Sequence, residues 1–307
     1  MIKIFLVLIV TAIIALNLPP QWSLLIGLAM ALGLPLPKDF LKFAKTATTY
    51  TLQFSIVLLG ASLNFQHLLQ KGSQGLLITG LSILLVLGVG EILARIFKVS
   101  SPLSSLISVG TAICGGSAIG AISPILRADS LTLSISLGII FLLNALSVMS
   151  LAPIGHLLGL DQVQFGTWAA LAIHDTSSVV AACQMYGEEA LKVGTTLKLT
   201  RALWIIPVSL AFTLFKRSTG QIKFPWFILL FMLHSLLFSL LPSLHSLVPA
   251  MKVVSKVGFS LTLFFVGVSL NREELKKLQF RPLVFALTLW FLTLLSSLYY
   301  VKNMGRF

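Results

Sequence analysis

GTAICGGSAIGAISPILRAD, residues 110–129, is an apolar helical stretch interrupted at its middle by Gly115, Gly116 and Ser117. Hydrocarbon cannot hydrogen-bond a freed backbone amide, so unwound backbone at membrane depth persists only where protein buries it or where it lines a polar cavity. If this stretch lies in a bilayer, other helices must enclose it, and it is the first place to expect a ligand.

The rest of the chain puts it in a bilayer. Hydrophobic residues fill 57% of 307 positions and charged residues 10%, with a mean hydropathy of +0.99, whereas soluble domains carry about 25% charged residues. A soluble fold is excluded. Lys and Arg number 22 against 9 acidic residues, a formal charge of +13, but the bases lie mainly between apolar runs. That pattern suits membrane-flanking anchors and argues against nucleic acid as a partner. Cys114 and Cys183 stand far apart in apolar segments with no CxxC spacing, as packed free thiols would.

A bilayer core of about 30 Å needs about 20 apolar residues per helix. Spans are expected at 2–18, 48–64, 74–97, 130–158, 191–215, 224–242, 253–270 and 281–301. The segment 21–36 is short and holds Gly27, Gly33 and Pro35, so it either spans with strain or only dips; 102–126 and 164–186 are long enough to cross, but each is interrupted. The first run, with Lys3 ahead of an apolar core, is laid out like a signal peptide without a small-x-small cleavage site before a soluble domain, and is expected to remain as an uncleaved helix. The fold class is an all-α integral membrane protein, one transmembrane domain over 1–307, with about 9–11 transmembrane segments.

Assigning the connections alternately to two sides puts 13 bases with Lys3 and 8 with Lys71, leaving Arg201 inside a span. The positive-inside rule then places the N-terminus in the cytoplasm and the C-terminus outside. Reading both interrupted segments as re-entrant hairpins moves only Arg127, so charge counting leaves broken helix and hairpin both open.

Leu59-Gly60-Ala61-Ser62-Leu63-Asn64 resembles Val266-Gly267-Val268-Ser269-Leu270-Asn271, and Leu68 matches Leu275 further on. Each copy ends an apolar helix, and the copies are an odd number of crossings apart. That is the pattern of inverted-topology repeats, here halves of approximately 20–158 and 164–301, which in secondary transporters hold substrate near the midplane. Asn64 and Asn271 are secondary site candidates on this ground.

The second interruption, Ala172-Ile173-His174-Asp175-Thr176-Ser177-Ser178-Val179, puts five consecutive polar side chains inside an apolar segment. An ionised Asp costs about 2.5–3.5 kcal/mol on insertion scales, so the group must face protein or water. Asp175, Thr176 or Ser177 could cap a new half-helix, as Ser117 could after the glycine pair, and two such N-termini facing each other would favour an anion. Candidate anion-binding residues are Cys114, Gly115, Gly116, Ser117, His174, Thr176, Ser177, Ser178 and Arg201. Helix-packing polar groups and small residues are the alternative reading of both breaks.

Lys198 and Arg201 share a helix face in Lys198-Leu199-Thr200-Arg201. Arg201 is a candidate counter-charge for an anion, or else a structural partner of Asp175, Glu188 or Glu189; Lys198 is a secondary candidate for substrate contact, or else could snorkel to the interface. Glu91 reads first as a helical pair with Arg95 and second as a site candidate.

The motifs at 110–119, 172–180 and 198–201, together with Leu-Gly-Ala-Ser-Leu-Asn at 59–64, resemble the YeiH-type sulfate-exporter family of bacterial inner-membrane proteins, over nearly the whole chain. The resemblance implies a relation to the cation-proton antiporter and anion transporter superfamily, with inverted repeats and interrupted helices at the centre.

The function expected is secondary active transport of a small anion such as sulfate, a sulfonate or a carboxylate, by alternating access. An anion channel or a receptor is the alternative; an intramembrane enzyme fits less well, because no nucleophile or metal-ligand spacing accompanies His174 and Asp175. No cofactor or metal is expected. H+ carried by His174 or Asp175, or Na+ held by unwound carbonyls and hydroxyls, would be the coupling ion. The expected partners are the lipid bilayer and the anion, with room for a homodimer.

Overall fold

The computed structural model describes residues 2–16, 18, 20–34, 36–61, 65–216, 226–269 and 279–303. These residues form helices with no strand among them: α1 (Ile2–Ala15), α2 (Pro20–Gly33), α3 (Lys38–Gly60), α4 (Phe65–Phe97), α5 (Ser101–Ala112), α6 (Gly116–Ile122) and α7 (Ser130–Leu157). There follow α8 (Gln162–Ala172), α9 (Thr176–Tyr186), α10 (Glu188–Leu203), α11 (Ile205–Lys216), α12 (Trp226–Leu240), a 3-10 turn (Pro242–Leu247), α13 (Val248–Ser269) and α14 (Phe280–Asn303). Five helical stretches are long and apolar enough to cross a membrane: Gly75–Phe97, Leu131–Leu157, Glu188–Leu214, Pro242–Ser269 and Phe280–Asn303. The chain is an all-α integral membrane protein.

Helix limits follow local chemistry. Asp129 caps α7 by accepting from the Thr132 amide at 2.9 Å, and the Thr132 hydrogen bonds hold this exposed carboxyl below its usual range. Asp161 and Gln164 close a reciprocal capping box at the start of α8. Hydropathy placed a span at 48–64, but α3 begins ten residues earlier, at Lys38. Its polar residues are helix-compatible because hydroxyls return to the preceding turn: Thr48 donates to the Ala44 carbonyl, Thr51 to Ala47 and Ser55 to Thr51.

The chain divides into two compact units, each drawn from two separate stretches of the sequence: 1–68 with 225–272, and 69–224 with 273–307. In the first unit α3 and α13 run antiparallel. Thr51 and Thr262 share a hydrogen bond at 2.9 Å, while four residues further along α3 Ser55 lies against Gly258, four residues earlier in α13. A Cβ on Gly258 would overlap the Ser55 hydroxyl, and one on Gly60 would lie 2.7 Å from the Phe231 carbonyl. Gly267 meets the Leu24 carbonyl of α2 in the same way. The shift that carries Leu59 onto Val266 also carries Thr51 onto Gly258, Ser55 onto Thr262, Leu24 onto Phe231 and Gly60 onto Gly267. These contacts are therefore exchanged in pairs. Ser62, Asn64 and Asn271, which prompted the comparison, lie outside the described residues.

In the second unit α5–α6 and α8–α9 are the two interrupted segments, flanked by α7, α10 and α14. Its core is built on Phe165, Trp168, Leu171, Ile173 and Leu197, and the Trp168 indole N–H donates to the Leu294 carbonyl at 3.1 Å.

Candidate functional site

Both interruptions are three residues long, and they meet. α5 stops at Ala112; Ile113 leaves the helical region with φ −116° and ψ −90°, and Gly115 adopts φ +64° and ψ −124°, a conformation open in practice only to glycine. A Cβ on Gly115 would lie 3.1 Å from the Asp175 Cβ. α8 stops at Ala172, Ile173 is extended (φ −86°, ψ 139°), and Asp175 caps α9. The Asp175 carboxylate accepts from the Ser178 amide at 2.7 Å, from the Ser177 hydroxyl at 2.7 Å and from the Asn144 amide group.

Asn144, on α7, holds the second break open. Its Oδ1 accepts from the backbone N–H groups of His174 (3.2 Å) and Asp175 (3.3 Å), donors freed by the unwinding. The sequence reading missed it. Its signal was an amide side chain in the middle of an apolar span, Phe141-Leu142-Leu143-Asn144-Ala145-Leu146, where a polar residue needs a partner.

Each broken helix also exposes a C-terminus, whose last carbonyls have no intrahelical donor. Arg201, fully buried, reaches both. Its Nε donates to the Ala112 carbonyl and one terminal nitrogen to Thr111 at 3.3 Å, at the end of α5; its other terminal nitrogen donates to Ala170 at 3.2 Å and Leu171 at 2.7 Å, at the end of α8. Lys198, also fully buried, donates through Nζ to Ile173 at 2.6 Å and Ala170 at 3.4 Å. Trp290 of α14 gives its indole N–H to Ala172 at 3.1 Å. A positive charge at a helix C-terminus opposes the dipole there, so these cations are stabilised where the sequence reading had not placed them.

Several expectations change. Lys198 does not snorkel to an interface. Arg201 donates to carbonyls rather than pairing with Asp175, Glu188 or Glu189; Lys192 lies 3.4 Å from Glu188 and 3.7 Å from Glu189. Ser117 does not cap α6. Gly115 occupies the cap position, and the Ser117 hydroxyl turns back to the Cys114 carbonyl (3.1 Å) and sulfur (2.9 Å). Glu91 forms an exposed pair with Arg95 at 3.0 Å on α4. Asn64 and Asn271 lie outside the described residues.

What stays open is specific. His174 is fully buried, its ring centred 6.4 Å from that of Trp290, and neither ring nitrogen has a partner; the Thr111 and Ser178 hydroxyls are buried and unpartnered too. Among the described residues the amides of Gly116, Ser117, Thr176 and Ser177, in the first turns of α6 and α9, donate to no protein acceptor. Ser117 is exposed, and Gly116 and Asp175 are part-exposed. The crossing thus combines spare donors, two buried cations and one carboxylate.

Residues 1–286 match the family model described as "Conserved hypothetical protein 698". The chain is 45% identical to a UPF0324 membrane protein of Bacteroides thetaiotaomicron over 287 residues, covering 92% of this chain and 86% of that protein. A UPF0324 membrane protein of Porphyromonas gingivalis is 43% identical over 292 residues, covering 92% and 87%. No solved structure matches the chain. With nearly its whole length matched in this way, the chain belongs to the UPF0324 family of membrane proteins, the same family as the YeiH-type proteins that its sequence resembles.

Proposed function

We propose that this multi-pass membrane protein is a secondary active transporter of a small anion such as sulfate, a sulfonate or a carboxylate, working by alternating access around the crossing of the two broken helices. The observation that carries the reading is the meeting of the breaks, Gly115 against Asp175, with unpartnered amides beside two buried cations and a single carboxylate. Irregular backbone at membrane depth is tolerated where protein buries it or where it lines a polar cavity, as at transporter sites, and spare amides in the first turns of two half-helices favour an anion over a cation. His174, Thr176, Ser177, Ser178, Gly116 and Ser117 are the proposed anion contacts, and H+ or Na+ the coupling ion.

The paired exchange of contacts between α3 and α13, and between Gly60 with Phe231 and Gly267 with Leu24, supports an inverted duplication, because antiparallel helices related in this way exchange places about an axis perpendicular to both. The charge count supports an inner-membrane orientation with the N-terminus in the cytoplasm and the C-terminus outside. No enzymatic step is assigned.

Flux into proteoliposomes loaded with sulfate, a sulfonate or a carboxylate, under imposed pH and Na+ gradients, tests the proposal. Counterflow of at least one anion that saturates with concentration is expected. Linear flux without counterflow would make the protein a channel, and no flux for any anion would remove the transport reading.

A further inference from the structure

Na+ held in an interrupted helix uses unwound carbonyls and half-helix C-terminal carbonyls as its ligands. In this protein most of those oxygens are already engaged; of the unwound ones, the Ile113 and His174 carbonyls accept from no donor among the described residues. At the end of α5, Val109 accepts from the Ile113 amide, Gly110 from the Gly115 amide, and Thr111 and Ala112 from Arg201. At the end of α8, Ala169 accepts from the Ile173 amide, Ala170 and Leu171 from Arg201, Ala172 from Trp290, and Ile173 from Lys198. Cys114, between the α5 end and the Gly115 cap, accepts from the Ser117 hydroxyl. The Ala170 oxygen is shared by Lys198 and Arg201. A carbonyl keeps a second lone pair, but a free cation arriving there would meet an ammonium and a guanidinium at short range, with little water to screen them.

We infer that Lys198 and Arg201 are tethered substitutes for a coupling cation: they fill the carbonyl ends of both broken helices, so the crossing binds no Na+. For transport this rests on the reading that the crossing is the translocation centre, and it leaves H+ as the coupling ion. Occupancy of these carbonyls is a property of the folded protein and is measured without flux. Shortening either side chain should leave a carbonyl cage that takes a small monovalent cation from solution.

Thermal unfolding of the detergent-solubilised full chain tests this, comparing NaCl with choline chloride at equal ionic strength. The wild-type midpoint should be the same in both salts. Lys198→Ala should melt lower and recover by about 5 °C with saturating methylammonium or Na+, and Arg201→Ala should recover similarly with low-millimolar guanidinium, neither responding to choline. A saturable, Na+-specific rise in the wild type would overturn the inference, as would folded variants that no small cation stabilises. If neither variant folds, the wild-type titration decides alone: a Na+-specific rise refutes the inference and its absence supports it. Failure is distinguishable from failure of the transport reading, since Na+ stabilisation with intact counterflow overturns only the substitution, and absent flux with a Na+-insensitive midpoint overturns only transport.

Discussion

At the residue scale, His174 and Asp175 are adjacent in sequence but placed for different work. Asp175 accepts three hydrogen bonds and caps α9, whereas both His174 ring nitrogens are unpartnered. Asn also caps helices well, so Asp175→Asn should fold. If Asp175 carries the coupling proton, this variant keeps counterflow and loses accumulation driven by a pH gradient; if His174 carries it, His174→Gln flattens the pH dependence instead. Uptake and counterflow on the same preparations read both, and wild-type coupling in both variants would remove the pair as the proton site. Asn144→Leu is a purely structural test. It strips two backbone amides of their acceptor and the carboxylate of a donor, each loss costing about 1–3 kcal/mol, so a marked drop in melting temperature is expected. An unchanged melt would show that water substitutes freely for the side chain.

At the scale of elements, the two glycines of the first break differ. Gly115 has φ +64° and faces the Asp175 Cβ, whereas the nearest atoms to a Cβ on Gly116 are 3.4 Å away, ordinary contact distance. Gly115→Ala should therefore destabilise the protein by about 1–3 kcal/mol, while Gly116→Ala should be nearly neutral. Melting curves of the two variants side by side check the ranking; equal effects would mean that the break relaxes without needing a left-handed residue. The α3–α13 contact depends on small residues for another reason: Gly258 lets the helices approach until Ser255 can donate to the Ser55 carbonyl at 2.7 Å.

For the whole molecule, the distribution of bases bears on which way it sits in the membrane. An excess of bases on the N-terminal side predicts that a cysteine placed near Lys3 is labelled by an impermeant maleimide only after the cells are opened, whereas one near Arg306 is labelled in intact spheroplasts, using a background that lacks Cys114 and Cys183. The opposite pattern would reverse the orientation without touching the site. A homodimer would leave labelling unchanged and is read separately, by light scattering in detergent.

The sequence by itself determined the membrane class, the helical segments and both interruptions, because hydropathy, a glycine pair and a run of polar residues are properties of neighbouring positions. It also confined the cap of the second half-helix to Asp175, Thr176 or Ser177, since a cap acts on amides two or three residues away, and the structure selects Asp175. Only the tertiary structure decided what the buried cations do. Arg201 and Ala112 are 89 positions apart, and Trp290 and Ala172 are 118 apart. A broken helix offers two ends of opposite polarity, and no sequence spacing says which one a distant Lys or Arg will meet. Asn144 escaped notice for the same reason: a lone amide in an apolar span signals a partner, but only the packing of α7 against the second break names it.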